Sequence, residues 1–308
     1  MVQQQDIPTR AWMELCLLGL IWGGSFLAIA ITLREVGFVT SVAHRVFWAA
    51  ILLWGWVAYR GLPIPHSPRL WLSFLVMGIL NNVLPFSLMA WGQLHIESGL
   101  TAVFNAATAI FGALVATVIF PDEKLTVRKT MGIVVGFAGV ATAIGLESFR
   151  NFDIRSLAQL AVIGGTISYA FASVWARIRL SGLAPEVAAA GMLTGSSVVM
   201  VPAAFIIDGV PSFAVSSSTL LAIGYYVFFA TAGAYLLYYR ILALAGASNT
   251  MLVTLLVPPV SIVLGAIVLS ESLSTNVYLG LFMLLSGLLI LDGRLFRRFR
   301  RAKTEGTK

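Results

Sequence analysis

The chain sets uncharged hydrogen-bonding side chains inside long apolar stretches, where each one needs a partner. Asn81, Asn82 and Pro85 interrupt one stretch, and Asn82, Phe86, Met89 and Gln93 then fall along one helical face. Pro85 has no N–H, so the carbonyl of Asn81 loses its ordinary helical partner. Thr101, Asn105, Thr108 and Gly112 share a face of the next stretch. Pro258 and Pro259 stand in the middle of another and free the carbonyls of Thr254 and Leu255; its polar face is Thr250, Thr254, Pro258 and Ser261. Trp22, Tyr169 and Tyr235 lie deep in their stretches, and a deep Tyr needs a partner for its hydroxyl. Two uses fit such groups: hydrogen bonds to a small molecule in a cavity, or bonds that hold neighbouring helices together. The candidate substrate-binding set is Trp22, Asn82, Met89, Asn105, Thr108, Tyr169, Tyr235, Thr254 and Pro258.

The charged residues suggest simpler roles. Arg45 and Arg177 fall near span ends and can reach headgroups. Glu14 is four residues beyond Arg10, which allows an i,i+4 pair near the membrane surface. Glu123 and Glu271 precede helices, as anions at positive helix ends. Tyr225, Tyr226, Trp12 and Trp71, near span ends, suit an interfacial belt. There is no His-Glu-x-x-His, no close acidic pair deep in a span and no phosphate-binding Gly-x-x-x-x-Gly-Lys-Ser/Thr. An enzyme, an ATP-driven pump, a metal centre and a cofactor are therefore not expected. A passive channel stays open beside a carrier.

The elements that position these groups follow from composition. A hydrophobic fraction of 59% with only 11% charged residues, and a mean hydropathy of +0.92, describe a polytopic membrane protein; in soluble domains about a quarter of residues are charged. The lone Cys16 permits no internal disulfide. Residues 1–9 lack the basic start and small-residue cleavage site of a secretory signal. Hydropathy and turn residues predict ten all-helical spans at about 10–33, 38–59, 70–94, 98–120, 127–146, 155–180, 185–207, 217–241, 247–269 and 275–292.

With the N-terminus in the cytoplasm, the cytoplasmic side carries 16 Lys and Arg (nine in loops and seven in the tail) against four outside, the sum being the 20 in the chain. This satisfies the positive-inside rule and places both termini in the cytoplasm of a bacterial-type inner (plasma) membrane. The basic tail, 296–308, reads as a membrane-flanking segment and not as a nucleic-acid patch.

One pattern repeats after 148 residues (271 − 123): an apolar helix, a short loop with Glu-x-Leu, and a second helix carrying spaced glycines. Glu123 answers to Glu271, Gly132 to Gly280, Gly139 to Gly287. Five spans per half is an odd number, so the halves, 1–150 and 151–295, must lie inverted in the membrane. Inverted repeats are characteristic of secondary transporters, with the substrate between the halves.

The Trp-Gly-Gly-Ser-Phe at 22–26, Arg45 early in the second span and the two Glu-x-Leu…Gly…Gly ends resemble the drug/metabolite transporter superfamily, in its ten-helix EamA branch. Within that branch the chain is similar to YddG-type exporters of aromatic amino acids and some toxic compounds. The resemblance implies two inverted five-helix halves around a central cavity, a small-molecule substrate and a lipid-bilayer setting, with no nucleic-acid partner. A monomer is the expected state, with a dimer left open. The second half departs from the pattern, offering Tyr169-Ala170 at the position of Trp22-Gly23. Relatives in the superfamily couple to protons through a first-helix glutamate, which Glu14 invites by analogy; its shallow position argues instead for facilitated diffusion.

Overall fold

The computed structural model describes residues 9–120, 126–145, 153–212, 214–245, 250 and 253–292. Glu123, the leader and the basic tail lie outside them. Among the described residues all regular structure is helical. Eight helices are long and apolar enough to cross a membrane: α1 (Thr9–Thr32), α2 (Phe38–Tyr59), α3 (Pro68–Gly92), α4 (Ser98–Ile119), α5 (Val127–Ile144), α6 (Ile154–Arg179), α7 (Pro185–Ile207) and α8 (Ser217–Ile241). Two shorter apolar helices follow, α9 (Val253–Leu269) and α10 (Thr275–Asp292). All ten were expected from hydropathy.

The helices interleave as two five-helix sets. α1 packs on α9 as α6 packs on α4, and α3 packs on α7 as α8 packs on α2. α3 packs on α6 as α8 packs on α1, and α5 with α10, α2 with α7 and α4 with α9 join helices that the 148-residue shift exchanges. This is the pattern of a two-fold relation between the sets.

α5 and α10 show it most directly. A Cβ on Gly139 would lie 2.5 Å from the Leu284 nitrogen and 2.7 Å from the Gly280 oxygen. One on Gly132 would meet the Gly287 oxygen at 2.8 Å. Residues rising along α5 thus meet residues falling along α10, so the pair is antiparallel, and each helix spends its spaced glycines on the other's backbone.

Local irregularities depart from plain α-helix. α3 carries a π-helical turn at Ile79–Val83, in which the N–H of Leu84 reaches back to the carbonyl of Ile79. The ring of Pro85 would crowd the carbonyl of Asn81, and a widened turn relieves that. α8 carries a longer π-helical stretch, Tyr225–Gly233, where the Thr231 hydroxyl donates to the carbonyl of Tyr226 at 2.7 Å. Adding 148 to 79–83 gives 227–231, so the two wide turns occupy equivalent places. α4, expected as one helix, breaks at Ala107, where the Thr108 hydroxyl donates to the Asn105 carbonyl at 2.7 Å. A hydroxyl bonded to a carbonyl of the preceding turn competes with the helix ladder. α9 continues through Pro258-Pro259 as a single helix.

At one end of the bundle, carboxylates from one set cap helices of the other. Glu35 accepts from the Ser216 N–H at 2.7 Å, and Asp208 from the Thr40 N–H at 2.7 Å. Glu271, expected to serve α10, instead accepts from the N–H groups of Ser98 and Gly99 at the start of α4. Arg155 and Glu97 pair at 2.6 Å at the same end. The positive N-terminus of a helix favours each of these anions. Hydrogen bonds from the Ser216 hydroxyl and N–H hold the Glu35 carboxyl below its usual range.

Gly139→Ala should lose about 1–3 kcal/mol of stability through overpacking against backbone, seen as a lower melting temperature in detergent. Gly55→Ala, where nothing stands within 4 Å of the added Cβ, should be neutral. Glu35→Gln should be less stable than wild type at neutral pH. Because the folded-state pKa is depressed, the wild-type advantage is present above the usual glutamate range. It should vanish as pH falls through the lowered folded-state value, so melting temperatures of the two proteins should converge on acidification.

Candidate functional site

The polar groups buried in the middle of the bundle meet across the two helix sets. Asn82, on the π-helical turn of α3, is fully buried. Its Nδ2 donates to Ser196 Oγ of α7 at 2.8 Å, and its Oδ1 accepts from the Tyr235 hydroxyl of α8 at 3.3 Å. Asn81 Nδ2 lies 3.2 Å from the same Tyr235 oxygen and 3.3 Å from Asn82 Oδ1. Ser168 of α6 donates to the carbonyl of Leu80 at 2.7 Å, which satisfies a group in the widened turn. A π-turn re-aims neighbouring side chains and leaves backbone acceptors to be met from outside.

The second wide turn gathers another group. Trp22 Nε1 donates to the Ala230 carbonyl at 3.2 Å, and its ring lies 5.9 Å from that of Tyr238. Arg45 Nε donates to Thr231 Oγ1 at 2.9 Å, and the guanidinium carbon stands 4.0 Å over the ring of Phe86. Arg45 was expected to reach toward headgroups; with 9% of its surface exposed, it turns inward instead. The phenols of Tyr169, Tyr235 and Tyr226, neutral at ordinary pH, lie in the same region. Tyr226, expected in the interfacial belt, is also fully buried and donates to the carbonyl of Ser41 at 3.2 Å.

Of the predicted set, Asn82 and Tyr235 are bonded to each other, and Trp22 is bonded to the Ala230 carbonyl, one residue from Thr231, the partner of Arg45. Tyr169 packs against two of the apolar clusters and so lies at their seam. Met89 is buried against α6, where a Cβ on Gly165 would meet its Cε at 3.5 Å. Asn105 and Thr108 flank the break in α4. Thr254 and Pro258 sit on α9, with Pro258 buried. Sequence reasoning did not include Asn81, Ser196, Thr231 or Arg45 in the site. For Arg45 the available signal was a charge seven residues inside an apolar helix, about 10 Å from its start. Glu14 is bridged by Arg10 at 3.2 Å and by Arg240 of α8 at 3.0 Å.

The profile of one family, the EamA-like transporter family, matches this chain twice, over residues 11–145 and 156–291. The chain belongs to that family. Each match covers one five-helix set. The family and the named relatives are transporters, not enzymes. An uncharacterized transporter of Archaeoglobus fulgidus is 25% identical over 92% of this chain and 98% of its own length. A Streptantibioticus cattleyicolor protein named "Probable terminal-alkyne amino-acid exporter" is 25% identical over 97% of this chain and 99% of its own. The uncharacterized inner membrane transporter YedA of Escherichia coli is 27% identical over 86% and 84%. A crystal structure at 16% identity shares the fold, with a TM-score of 0.67 over 92% of this chain and 97% of that one.

The network separates two kinds of variant. Asn82→Ala should cost about 1–3 kcal/mol, because Ser196 and Tyr235 lose a buried partner. Tyr235→Phe keeps the ring and should cost about 1 kcal/mol. Melting temperatures of the purified proteins should rank wild type, Tyr235→Phe and Asn82→Ala in falling order.

Proposed function

We propose that this EamA-family protein is an exporter of small metabolites, chiefly amino acids with aromatic or other apolar side chains. It works by alternating access and facilitated diffusion, from an inner membrane in which both termini are cytoplasmic. The protein acts as a monomer. The units that alternate are the halves 1–150 and 151–295, with 296–308 as a tail. The observation that carries this reading is the set of neutral amide and phenol groups, Asn82, Tyr235 and Tyr169, held between the two five-helix sets beside aromatic surface. Such groups hydrogen-bond a zwitterion while the rings accept an apolar side chain. The amino-acid exporter among the relatives supports the same substrate class. Trp22, Met89, Asn105, Thr108, Thr254 and Pro258 complete the proposed substrate surface as the halves move.

The competing reading, a proton-coupled antiporter for drugs or other metabolites, rests on Glu14, whose Oε2 has no hydrogen-bond partner. Its other oxygen, however, is held by two arginines, Arg10 and Arg240, so the side chain bridges α1 to α8 and already has a structural use. Proteoliposomes given a panel of amino acids, sugars and cationic dyes should take up apolar amino acids saturably and not the other two classes. Uptake should drive no proton movement, and Glu14→Gln should keep more than about half of the flux. Dye uptake with proton release, lost in Glu14→Gln, would overturn this reading in favour of the antiporter.

A further inference from the structure

We propose that Arg45 is the anchor for a substrate carboxylate, and that transported molecules are selected for carrying one. This deepens the amino-acid reading above and rests on it for the remainder of the substrate.

Arginine keeps its charge under all ordinary conditions. Burying that charge is costly unless an anion or a full set of acceptors compensates it. Arg45 is buried, yet no acid faces it among the described residues. Its side-chain contacts are with Thr231 and Phe86, both uncharged, whereas Arg10, Arg155 and Arg240 are each paired with a glutamate. Its packing accounts for one edge and one face only. Nε is engaged by Thr231, and the plane lies over Phe86. The two Nη groups are the part of the guanidinium fork that receives a carboxylate through two parallel hydrogen bonds.

The surroundings suit the rest of an α-amino acid. Thr231, which holds Arg45, and Tyr235 are four residues apart on α8, and Tyr235 leads directly to Asn81 and Asn82. Amide and phenol oxygens are natural acceptors for an ammonium group. The site thus has a cation at one pole and neutral acceptors at the other, which orients a zwitterion. A structural role alone, with Arg45 only stapling the wide turn of α8 to α3, would show no preference for carboxylates.

The test uses the full-length protein in detergent and in proteoliposomes, as wild type, Arg45→Lys and Arg45→Gln. In detergent the probes are 3-phenylpropionate and 3-phenylpropanol, which share ring and chain and differ in the carboxylate. The acid, and not the alcohol, should raise the melting temperature of wild type, and Arg45→Gln should lose that shift. In proteoliposomes L-phenylalanine flux should fall at least about ten-fold in Arg45→Gln, while L-phenylalaninamide flux stays within about two-fold. If Arg45→Gln does not fold, Arg45→Lys decides, since it keeps the charge but loses the planar fork; its phenylalanine flux should drop relative to the amide. Equal loss of both fluxes, or an acid-induced shift that is absent in wild type or retained in Arg45→Gln, would overturn the proposal. Wild-type protein that moves neither compound but keeps the Arg45-dependent shift would instead remove the amino-acid reading and leave the anion site standing.

Discussion

A hydrogen-bonding group placed where water does not reach must be satisfied by protein, and in this molecule it is satisfied mainly by the other half. Asn82 finds Ser196 and Tyr235, Trp22 finds the Ala230 carbonyl, Ser168 finds the Leu80 carbonyl and Trp54 finds Thr194. Trp175 donates to the Ser73 carbonyl, and Tyr225 to that of Ile21. Each bond runs from one five-helix set to the other. Neither set could be folded alone in a bilayer without leaving these donors and acceptors empty. The two wide turns add to the need, because they release carbonyls that a regular helix would have used. Cohesion between the sets and the chemistry of the central site are thus the same set of bonds.

These bonds differ in kind from the contact between α5 and α10. There, glycines let two backbones approach so closely that no side chain separates them. Such a contact leaves little room to rearrange. The central bonds are single side-chain contacts between residues far apart in the chain. The carboxylate caps at one end, Glu35, Asp208 and Glu271, are also single contacts between sets. A close-packed seam beside single side-chain contacts is the division that the proposed alternating access would draw on.

Much of this was legible in the chain. Apolar length and turn residues predict the ten helices, the Glu-x-Leu loops with their spaced glycines predict the repeat, and the odd number of spans per half predicts its inverted sense. Asn82, Tyr169 and Tyr235 stand out because a polar group deep in a span is expensive. Arg45 did not, because sequence gives depth along a helix but not which way the side chain turns; Thr231 and Phe86, which decide it, come from helices distant in the chain. Glu271 precedes α10 in sequence and yet serves α4, since a flexible carboxylate goes to whichever free helix end is nearest in space. The π-helical turn of α3 had Pro85 as a signal. That of α8 has no proline and became evident only from its hydrogen bonds.

The two halves share a backbone plan without sharing chemistry. Shifting by 148 places Leu193 where Arg45 stands (45 + 148), Ala230 where Asn82 stands (82 + 148) and Ser87 where Tyr235 stands (235 − 148). Leu193 is fully buried and apolar, and Ala230 offers only its backbone carbonyl, to Trp22. The charge lies on one side of the two-fold relation and has no copy on the other. A symmetric site would accept a ligand equally in two opposed directions. With a single guanidinium and a single Asn-Asn-Tyr cluster, only one direction pairs every group. The two-fold relation is therefore one of backbone, and under the proposed transport the departures from it would give a molecule held between the halves a single orientation.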